Sequence, residues 1–508
     1  MSASELSTFL TRLANYADEA AASISSAAKL SASTNRTNFT ALSAVQAVTA
    51  LREGDITSEE YASALLERCE TLHHLNAFIS LDKNFIMAKA RDADKLRAAG
   101  GRLGLMHGLP IAVKDSINTK DLSTTAGTHA LRNFRPKEDA PVADALFRQG
   151  AILLGKTNLH ELSYGWTSNN GAFGSVRNPY DFSRIPGGST GGTAAAVAAR
   201  MVSSGLAEDT CGSVRIPAAL CGIAGLRPTT GRYPTKGISP ITPLFDTPGA
   251  QARSVADLLL YDAVITGDAV LNRIPSLDGV RLGISPEYFL TELDPEVERI
   301  FNAAVERLSA AGAVFIRADI PDITKLLNAI TYPIQSYDAM PSLEQYLCES
   351  GAELTADQVY AGVMSPRVKH DIEVFFRPGG KYHASVDTYN DAVFTHRPSL
   401  QRTIARYFTE HKIAAVVHPP TLCPASKIGE EVDVNINGKR LPLRIAYARN
   451  ISAASCAGIP ALVLPAGTTI SGLPVGIEFD APVGMDRELL TLGIILEKAL
   501  ESIPAPSL

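Results

Sequence analysis

The stretch from residue 185 to residue 219 constrains this chain more than any other part of it. Two glycine-rich turns, each carrying a serine, flank a run of alanines: GGSTGG at 187–192 and DTCGS at 209–213. Glycine reaches backbone angles that other residues avoid, so such turns can direct several backbone N–H groups toward one point. A hydroxyl beside converging N–H groups is what acyl transfer requires, because it supplies a nucleophile and donors for the oxyanion. Glycine motifs alone are weak, and a loop that only packs tightly against a helix fits them too.

Composition narrows the class of protein. The 508 residues suffice for about three average domains or one large α/β unit. A net charge of −6 without a long basic run argues against nucleic acid as a partner. The longest apolar runs are too short or too polar to span a bilayer, and the N-terminus lacks the basic start and apolar block of a signal peptide. We therefore expect a cytoplasmic protein with no membrane partner.

Cysteine and histidine spacing argues against a metal site. The six cysteines are scattered, without a CxxC pair, and the ten histidines form no HExxH motif. Scattered cysteines are typical of a reducing cytoplasm, whereas disulfide frameworks and zinc sites require closer spacing. The sequence predicts no metal ligands.

Patterns along the chain predict an α/β fold. The clearest is a strand, a helix and a strand over residues 280–320, a βαβ unit that implies parallel pairing. Further buried strands are predicted at 111–113, 151–157, 413–419, 459–467 and 472–480. Because strands of one sheet then lie at both ends of the chain, we expect a single domain over residues 61–508, preceded by an N-terminal helical arm over residues 1–60. Residues of about 320–410 are mainly helical and predict an insertion that forms a variable substrate region.

Six ordered segments resemble the amidase signature family: GLPIAVKDSI, GKTNLHELSYG, NGAFGSVRNPYD, PGGSTGGTAAAVAA, DTCGSVRIPAALCGIAGLRPT and FDTPGAQARSVADLL. They form a signature core at about 105–260, and GIPALVLPAG and LPVGIEFDAP extend the resemblance toward the C-terminus. Long ordered matches are far more specific than an isolated motif. The resemblance implies that family's α/β fold, a central mixed, twisted β-sheet covered by helices on both faces.

The resemblance also implies a catalytic triad of two serines and a lysine. By motif, Ser213 would be the nucleophile, Ser189 the bridging serine and Lys114 the base, with a cis peptide between Gly188 and Ser189. Lysine accepts a proton only when it is neutral; its ordinary pKa is about 10.4, and burial can lower it by up to ~3–5 units. The apolar residues just before Lys114 are consistent with such burial.

The second glycine turn would form the oxyanion hole and departs from the family pattern. The backbone N–H groups concerned are those of Thr210, Cys211, Gly212 and Ser213. The family usually has two glycines here, so either Cys211 adopts a negative φ or its side chain shapes the pocket. Glu208 replaces a small hydroxyl residue, and the sequence assigns it no role. Asp209 and Arg215 are expected to pair and brace the turn. Ser163 falls where the family lines the acyl pocket, although an ordinary loop serine fits equally well.

The implied function is hydrolysis of an amide C–N bond through an acyl-enzyme on Ser213, without a metal or organic cofactor. The chain is similar to bacterial amidases that act on small aryl amides, so a small aryl-containing amide is the expected substrate. Carbamates or anilides, cleaved by a urethanase or an aryl-acylamidase, are the near alternative. We expect a monomer or homodimer.

Two other functions stay open from the sequence. The chain could be the amidase subunit of a larger amidotransferase. Residues 187–191 also fit GxSxG, which would make Ser189 the nucleophile of a Ser-His-Asp esterase. That motif needs a strand directly before it, and Pro179 and Pro186 disfavour one.

Overall fold

The computed structural model describes residues 8–13, 15, 36–268, 276–500 and 502–508. Eleven strands form one mixed sheet in the order β1-β3-β2-β4-β6-β5-β12-β13-β9-β7-β8, and β10 and β11 form a separate two-stranded sheet. The strands are β1 (Phe78–Ser80), β2 (Pro110–Lys114), β3 (Ile152–Thr157), β4 (Ser204–Asp209), β5 (Ala224–Arg227), β6 (Thr247–Ala252), β7 (Arg281–Ile284), β8 (Val314–Arg317), β9 (Ala415–His418), β10 (Asp433–Ile436), β11 (Lys439–Pro442), β12 (Ala461–Thr468) and β13 (Pro474–Asp480).

The large sheet has parallel pairs near both ends and antiparallel pairs in its middle. β2 runs parallel to β3 and β4, and β7 runs parallel to β8 and β9. The pairing of β7 with β8 confirms the βαβ unit predicted over residues 280–320. The described α-helices are Ala44–Glu53, Ser58–Thr71, Lys83–Ala98, Pro141–Arg148, Gly191–Ala198, Arg215–Cys221, Val255–Thr266, Pro286–Phe289, Pro295–Ala310, Ile323–Ser350, Ala356–Ala361, Pro366–Asp371, Val386–Asp391, Arg397–His411, Leu443–Ala448, Ser452–Ala457 and Asp486–Ala499.

Helices cover both faces of the sheet, as expected. Along β2, Ile111 and Val113 belong to one hydrophobic cluster and Ala112 to another. Because successive side chains of a strand point to opposite faces, the two clusters lie on opposite sides of the sheet. The helix Val255–Thr266 contributes to the first cluster and the helix Gly191–Ala198 to the second. The predicted mixed α/β sheet flanked by helices is therefore confirmed.

The predicted insertion is helical and packs against the signature core. Its longest helix, Ile323–Ser350, is followed by shorter helices and by a π-helical turn at Ile372–Phe376. Leu343 and Leu347 of that helix share a hydrophobic cluster with Leu162 and Tyr164, which flank Ser163. The insertion is thereby held against the loop that the sequence places at the acyl pocket.

The described part of the N-terminal segment includes two capped helices, Ala44–Glu53 and Ser58–Thr71. The helix Ser58–Thr71 starts with a capping box in which Thr57 and Glu60 satisfy each other's backbone N–H groups. Phe9 and Leu10 are buried in the main hydrophobic cluster. The other helical turns predicted before residue 36 lie largely outside the described residues, and the division at residue 60 stays a prediction. Among the described helices, none is long and apolar enough to cross a membrane.

Candidate active site

Lys114 ends β2 with a side chain that has no solvent exposure. Both neighbouring strands, β3 and β4, run parallel to β2 and enclose it. Burial lowers the pKa of the Lys114 amine below its ordinary value, although the adjacent Glu208 carboxylate opposes the shift. The amine nitrogen Nζ lies 2.6 Å from Ser189 Oγ. The predicted base and bridging serine are therefore in direct contact, 75 residues apart in the chain.

Ser189 lies on the first glycine turn, fully buried and directly before the helix Gly191–Ala198. The Gly188–Ser189 peptide is cis, as the resemblance implies. A Cβ on Gly188 would lie 2.7 Å from the backbone nitrogen of Thr167, so only glycine fits there.

Ser213 lies on the second turn and contributes to the wall of a cleft. The positive φ of this turn falls on Gly212, at +100°, and not on Cys211. This resolves the question raised by the family's second glycine, because Cys211 needs no left-handed conformation. The backbone N–H of Thr190 donates to the carbonyl of Ser213 at 3.3 Å, which joins the two turns. No hydrogen bond between described residues joins the hydroxyls of Ser189 and Ser213, and catalytic contacts often tighten only when substrate is bound.

A buried ion network holds the second turn. Asp209 accepts hydrogen bonds from the backbone N–H groups of Gly212 and Val214, at 2.9 and 3.0 Å. It also pairs with Arg215 and Arg227, each with a contact of 3.0 Å. Burial alone would raise the pKa of Asp209, but the two guanidinium groups outweigh it and hold the pKa well below its usual range. The predicted Asp209–Arg215 pair is present and fixes the backbone on both sides of Ser213.

Removal of Arg215 is expected to destabilise the protein strongly. The side chain is fully buried and also contacts Glu478 at 2.6 Å. Taking one partner from a buried ion pair leaves an uncompensated charge and typically costs about 3–5 kcal/mol. Urea unfolding of Arg215→Met should show this loss. The matched control is Arg91→Met, which breaks a surface pair with Glu59 and should cost about 0–1 kcal/mol; equal losses in the two variants would contradict the bracing role.

A cleft with a volume of about 220 Å³ opens at Ser213 and Cys211. Ser163 lies on its wall, as the resemblance implies, and donates a hydrogen bond to Glu208 Oε1 at 2.8 Å. Aromatic side chains form much of the remaining wall: Tyr164, Trp166, Tyr332, Phe375 and Phe376. The single tryptophan therefore faces the cleft. Polar and charged side chains complete the wall, among them Arg367, Asp371 and Glu431. The aromatic part of the cleft is suited to the ring of a small ligand, and the polar part to its hydrogen-bonding groups.

Sequence reasoning missed two parts of this site. Glu208, which it left without a role, is 4% exposed and contacts Lys114 directly. The only indication of this contact in the sequence was that Glu208 stands where the family usually has a small hydroxyl residue. Tyr332, Phe375 and Phe376 come from the insertion, where no motif marked them.

One cluster of metal-ligand type lies away from the cleft lining. Ligand atoms of His418, Glu478 and Asp480 lie within 4.8 Å of one another, all buried. The two carboxylates already have protein partners, because Glu478 pairs with Arg215 and Asp480 with His418 at 3.2 Å. The cluster is therefore part of the buried ion network that includes Arg215 and Asp209.

Comparison with known proteins decides the family, since residues 60–490 match the model of the Amidase family. The chain belongs to the amidase family. It is 39% identical to an indoleacetamide hydrolase of Agrobacterium vitis over 451 residues, which cover 89% of this chain and 95% of that protein. It is 37% identical to a mandelamide hydrolase of Pseudomonas putida over 469 residues, covering 90% and 91% of the two chains. A crystal structure of an amidase superposes with a TM-score of 0.80 at 29% identity, covering 90% of this chain and all of that one.

These relatives confirm the expected enzyme class. This amidase acts on carbon–nitrogen bonds other than peptide bonds, and the resemblance to bacterial aryl-amide amidases is confirmed at 37–39% identity. The esterase alternative finds no support in the site. Among the described residues, no strand directly precedes Ser189, and its hydroxyl contacts a lysine amine instead of an imidazole.

Proposed function

We propose that this amidase hydrolyses small aryl-containing amides through an acyl-enzyme on Ser213, with Ser189 and Lys114 as the other members of its triad. One observation carries the proposal: a fully buried lysine amine lies 2.6 Å from a buried serine hydroxyl beside the turn that bears Ser213. A serine hydroxyl is a poor nucleophile until a neighbour takes its proton. A desolvated lysine is a suitable acceptor because burial favours its neutral form.

In this mechanism Ser213 attacks the substrate carbonyl while its proton passes through Ser189 to Lys114. The backbone N–H groups of Thr210, Cys211 and Ser213 stabilise the negative charge that develops on the carbonyl oxygen, whereas the N–H of Gly212, expected to join them, is already donated to Asp209. Lys114 then returns the proton through Ser189 to the leaving nitrogen, which departs as ammonia or an amine. A water molecule, activated in the same way, releases the carboxylate and restores Ser213.

The cleft supports an aromatic acyl group. Trp166 and Phe375 line the cleft, and packing of a substrate ring against such side chains adds about 0.5–1.5 kcal/mol per pair beyond simple burial. The two relatives, an indoleacetamide hydrolase and a mandelamide hydrolase, are both named for the hydrolysis of an aryl amide. We therefore assign a primary aryl amide as the preferred substrate, with the ring among the aromatic side chains.

A substrate panel distinguishes this assignment from the alternatives. The purified enzyme is assayed with a primary arylacetamide, the anilide of the same acid and an aryl carbamate of similar size. We expect kcat/KM for the primary amide to exceed the other two by at least about 10-fold, the order that one misfitted group costs in a pocket. Faster turnover of the carbamate or the anilide would make the enzyme a urethanase or an aryl-acylamidase instead.

The same assay also tests whether the chain needs a protein partner for turnover. We propose that the chain works by itself, as a monomer or homodimer in the cytoplasm. All six of its cysteines are free thiols, which suits a reducing compartment. Turnover by the chain purified alone would support this, with light scattering giving its mass. Turnover that appears only after a second protein is added would instead make it an amidotransferase subunit.

A further inference from the structure

Glu431 places a carboxylate in the wall of the cleft that opens at Ser213. The half-buried side chain lies two residues before β10. Its Oε1 atom accepts hydrogen bonds from Thr167 Oγ1 at 3.1 Å and from the Asn169 amide. Among the described residues, Oε2 accepts from the same Thr167 hydroxyl alone, at 3.2 Å. Because each oxygen of a carboxylate can accept two hydrogen bonds, Oε2 retains the capacity for a further donor.

The charge of Glu431 has little compensation from the protein. No ion pair between described residues includes it, and Arg367, the basic group that acts on it, pairs with Asp371 at 2.9 Å. Burial therefore raises the pKa of Glu431 to about 7, since Thr167 and Arg367 offset only part of the desolvation. A partly desolvated carboxylate with so few donors gains free energy from a ligand that donates a hydrogen bond to it.

The groups around Glu431 place it on the side of the cleft formed by the insertion. The acid that acts on its carboxylate is Asp371, whose buried Oδ1 atom has no hydrogen-bond partner in the described part of the chain. Asp371 ends a helix that leads directly into the π-helical turn Ile372–Phe376. The acids that act on the Lys114 amine are three others: Glu208, Asp209 and Asp246. Glu431 therefore lies beside the aromatic wall, where the ring of a substrate is expected.

An aromatic wall next to free acceptors distinguishes rings that are otherwise alike. The N–H of an indole and the O–H of a phenol both lie at the edge of the ring and donate a hydrogen bond. A ring of the same shape without such a group would cover the carboxylate and leave it without a partner. Sites that are built to bind a polar group discriminate strongly against analogues that lack it, for this reason.

We propose that Glu431 is a substrate-binding residue that accepts a hydrogen bond from an N–H or O–H group on the ring of the acyl group, and thereby selects aryl amides with such a donor. The inference rests on the proposed function, in which the ring of a primary aryl amide lies among the aromatic side chains. It adds a polar requirement to that assignment.

Two pairs of primary amides with similar shapes test the proposal on the wild-type enzyme. The first pair is indole-3-acetamide and benzofuran-3-acetamide, in which an oxygen replaces the ring N–H. The second pair is 4-hydroxyphenylacetamide and 4-methylphenylacetamide. The assays are run at about pH 8.5, so that the Glu431 carboxylate, with a pKa of about 7, is ionised.

We expect kcat/KM to favour the donor in at least one pair by about 10-fold or more, as a hydrogen bond to a charged group contributes. The pair that shows the preference identifies the donor as a ring nitrogen or a phenol. The absence of a preference in both pairs would overturn the proposal.

Glu431→Gln shows whether this residue makes the contact. The glutamine carbonyl can replace Oε1 as the acceptor for Thr167 and Asn169, which leaves its NH2 group in the place of Oε2, where it cannot accept. We expect kcat/KM for the preferred donor substrate to fall by about 10-fold or more, mainly through KM, because the contact lies away from the bond that is cleaved. The value for its isostere should change by less than about 2-fold. The control is Glu430→Gln, an exposed neighbour outside the cleft wall, which should keep the wild-type preference.

A purely structural role of Glu431 gives a different result. Thr167, its donor, packs against the turn of Ser189, since a Cβ on Gly188 would lie 2.7 Å from the Thr167 backbone nitrogen. If Glu431 only holds Thr167 in place, Glu431→Gln lowers kcat for all four amides alike and the preference persists, which would overturn the proposal. Loss of the preference in Asp371→Asn but not in Glu431→Gln would overturn it too.

A second variant covers the case in which Glu431→Gln fails to fold. Glu431→Asp keeps the carboxylate but withdraws it by one methylene. The preference for the ring donor should then fall to less than half of its wild-type value, and an unchanged preference would contradict the proposal.

Failure of this inference is distinct from failure of the proposed function. If the wild type hydrolyses all four amides with similar kcat/KM and Ser213→Ala hydrolyses none, the amidase mechanism stands and only the role of Glu431 is wrong. If the wild type hydrolyses none of the four, the proposed function fails and this inference fails with it.

Discussion

Replacement of Ser213 by alanine is expected to lower kcat by about 10⁶-fold, as loss of the nucleophile does in other serine hydrolases. Without this hydroxyl no acyl-enzyme forms, while the cleft that binds the substrate is retained. KM should therefore change far less than kcat. Steady-state kinetics on the primary arylacetamide measure the loss, and ammonia release gives an independent readout.

Two further variants serve as a control and as a test of an alternative nucleophile. Ser63→Ala removes a serine on the surface helix Ser58–Thr71 and should leave the rate unchanged. Cys211→Ala removes the thiol beside Ser213, which burial makes harder to ionise by raising its pKa. If Ser213→Ala retained activity while Cys211→Ala lost it, the nucleophile would be the cysteine.

Replacement of Lys114 by methionine is expected to lower kcat by about 10⁴-fold, the upper range for loss of a general base. Methionine fills a similar volume without a basic nitrogen, so Ser189 has no group to which it can pass a proton. Activity of the wild type should fall as pH drops and the Lys114 amine, whose pKa burial lowers, takes up a proton. The residual activity of Lys114→Met should lack that acid limb, because the titrating amine is gone. Steady-state kinetics from pH 5 to pH 9 measure both the loss of kcat and the change in its pH dependence.

The control for this variant is Lys120→Met. Lys120 is an exposed lysine six residues further along the chain, and it pairs with Asp139 at 3.1 Å. Its loss should leave kcat at the wild-type value. A Lys114→Met enzyme with a tenth or more of wild-type activity, folded by its melting curve, would exclude lysine as the base.

The resemblance to the amidase signature family implied the proposed triad because its members lie in local motifs. Lys114 follows an apolar strand, and Ser189 and Ser213 each lie in a glycine turn whose residues are adjacent in the chain. The mainly apolar strands β9, β12 and β13 were predicted for the same reason. Their side chains carry the burial pattern within seven to nine residues, so no knowledge of distant contacts was needed.

Other elements depend on contacts between distant segments. β4, β5 and β6 have the sequences SGLAED, AGLR and TPGAQA, which are poor in β-branched and aromatic residues. Their extended form is set by their neighbours in the sheet and not by intrinsic preference. They were not predicted as strands.

The contact between Glu208 and Lys114 and the shape of the cleft could not be predicted for a related reason. Glu208 meets Lys114 only because β2 and β4 pair across 94 residues of chain. Phe375 and Phe376 reach the cleft from an insertion with no recognised motif, through a π-helical turn. Local motifs indicated which groups take part in the proposed reaction, whereas contacts between distant segments determine what surrounds those groups.

Covalent labelling with a fluorophosphonate tests the central claim most directly. The wild-type enzyme, Ser213→Ala and Lys114→Met are treated in parallel, and the modified residue is located by peptide mass spectrometry. We expect one label per wild-type chain, on Ser213, with complete loss of activity, no label on the turn at residues 209–213 in Ser213→Ala, and slow labelling in Lys114→Met. Inactivation by a label on Ser189 or Cys211 would contradict it.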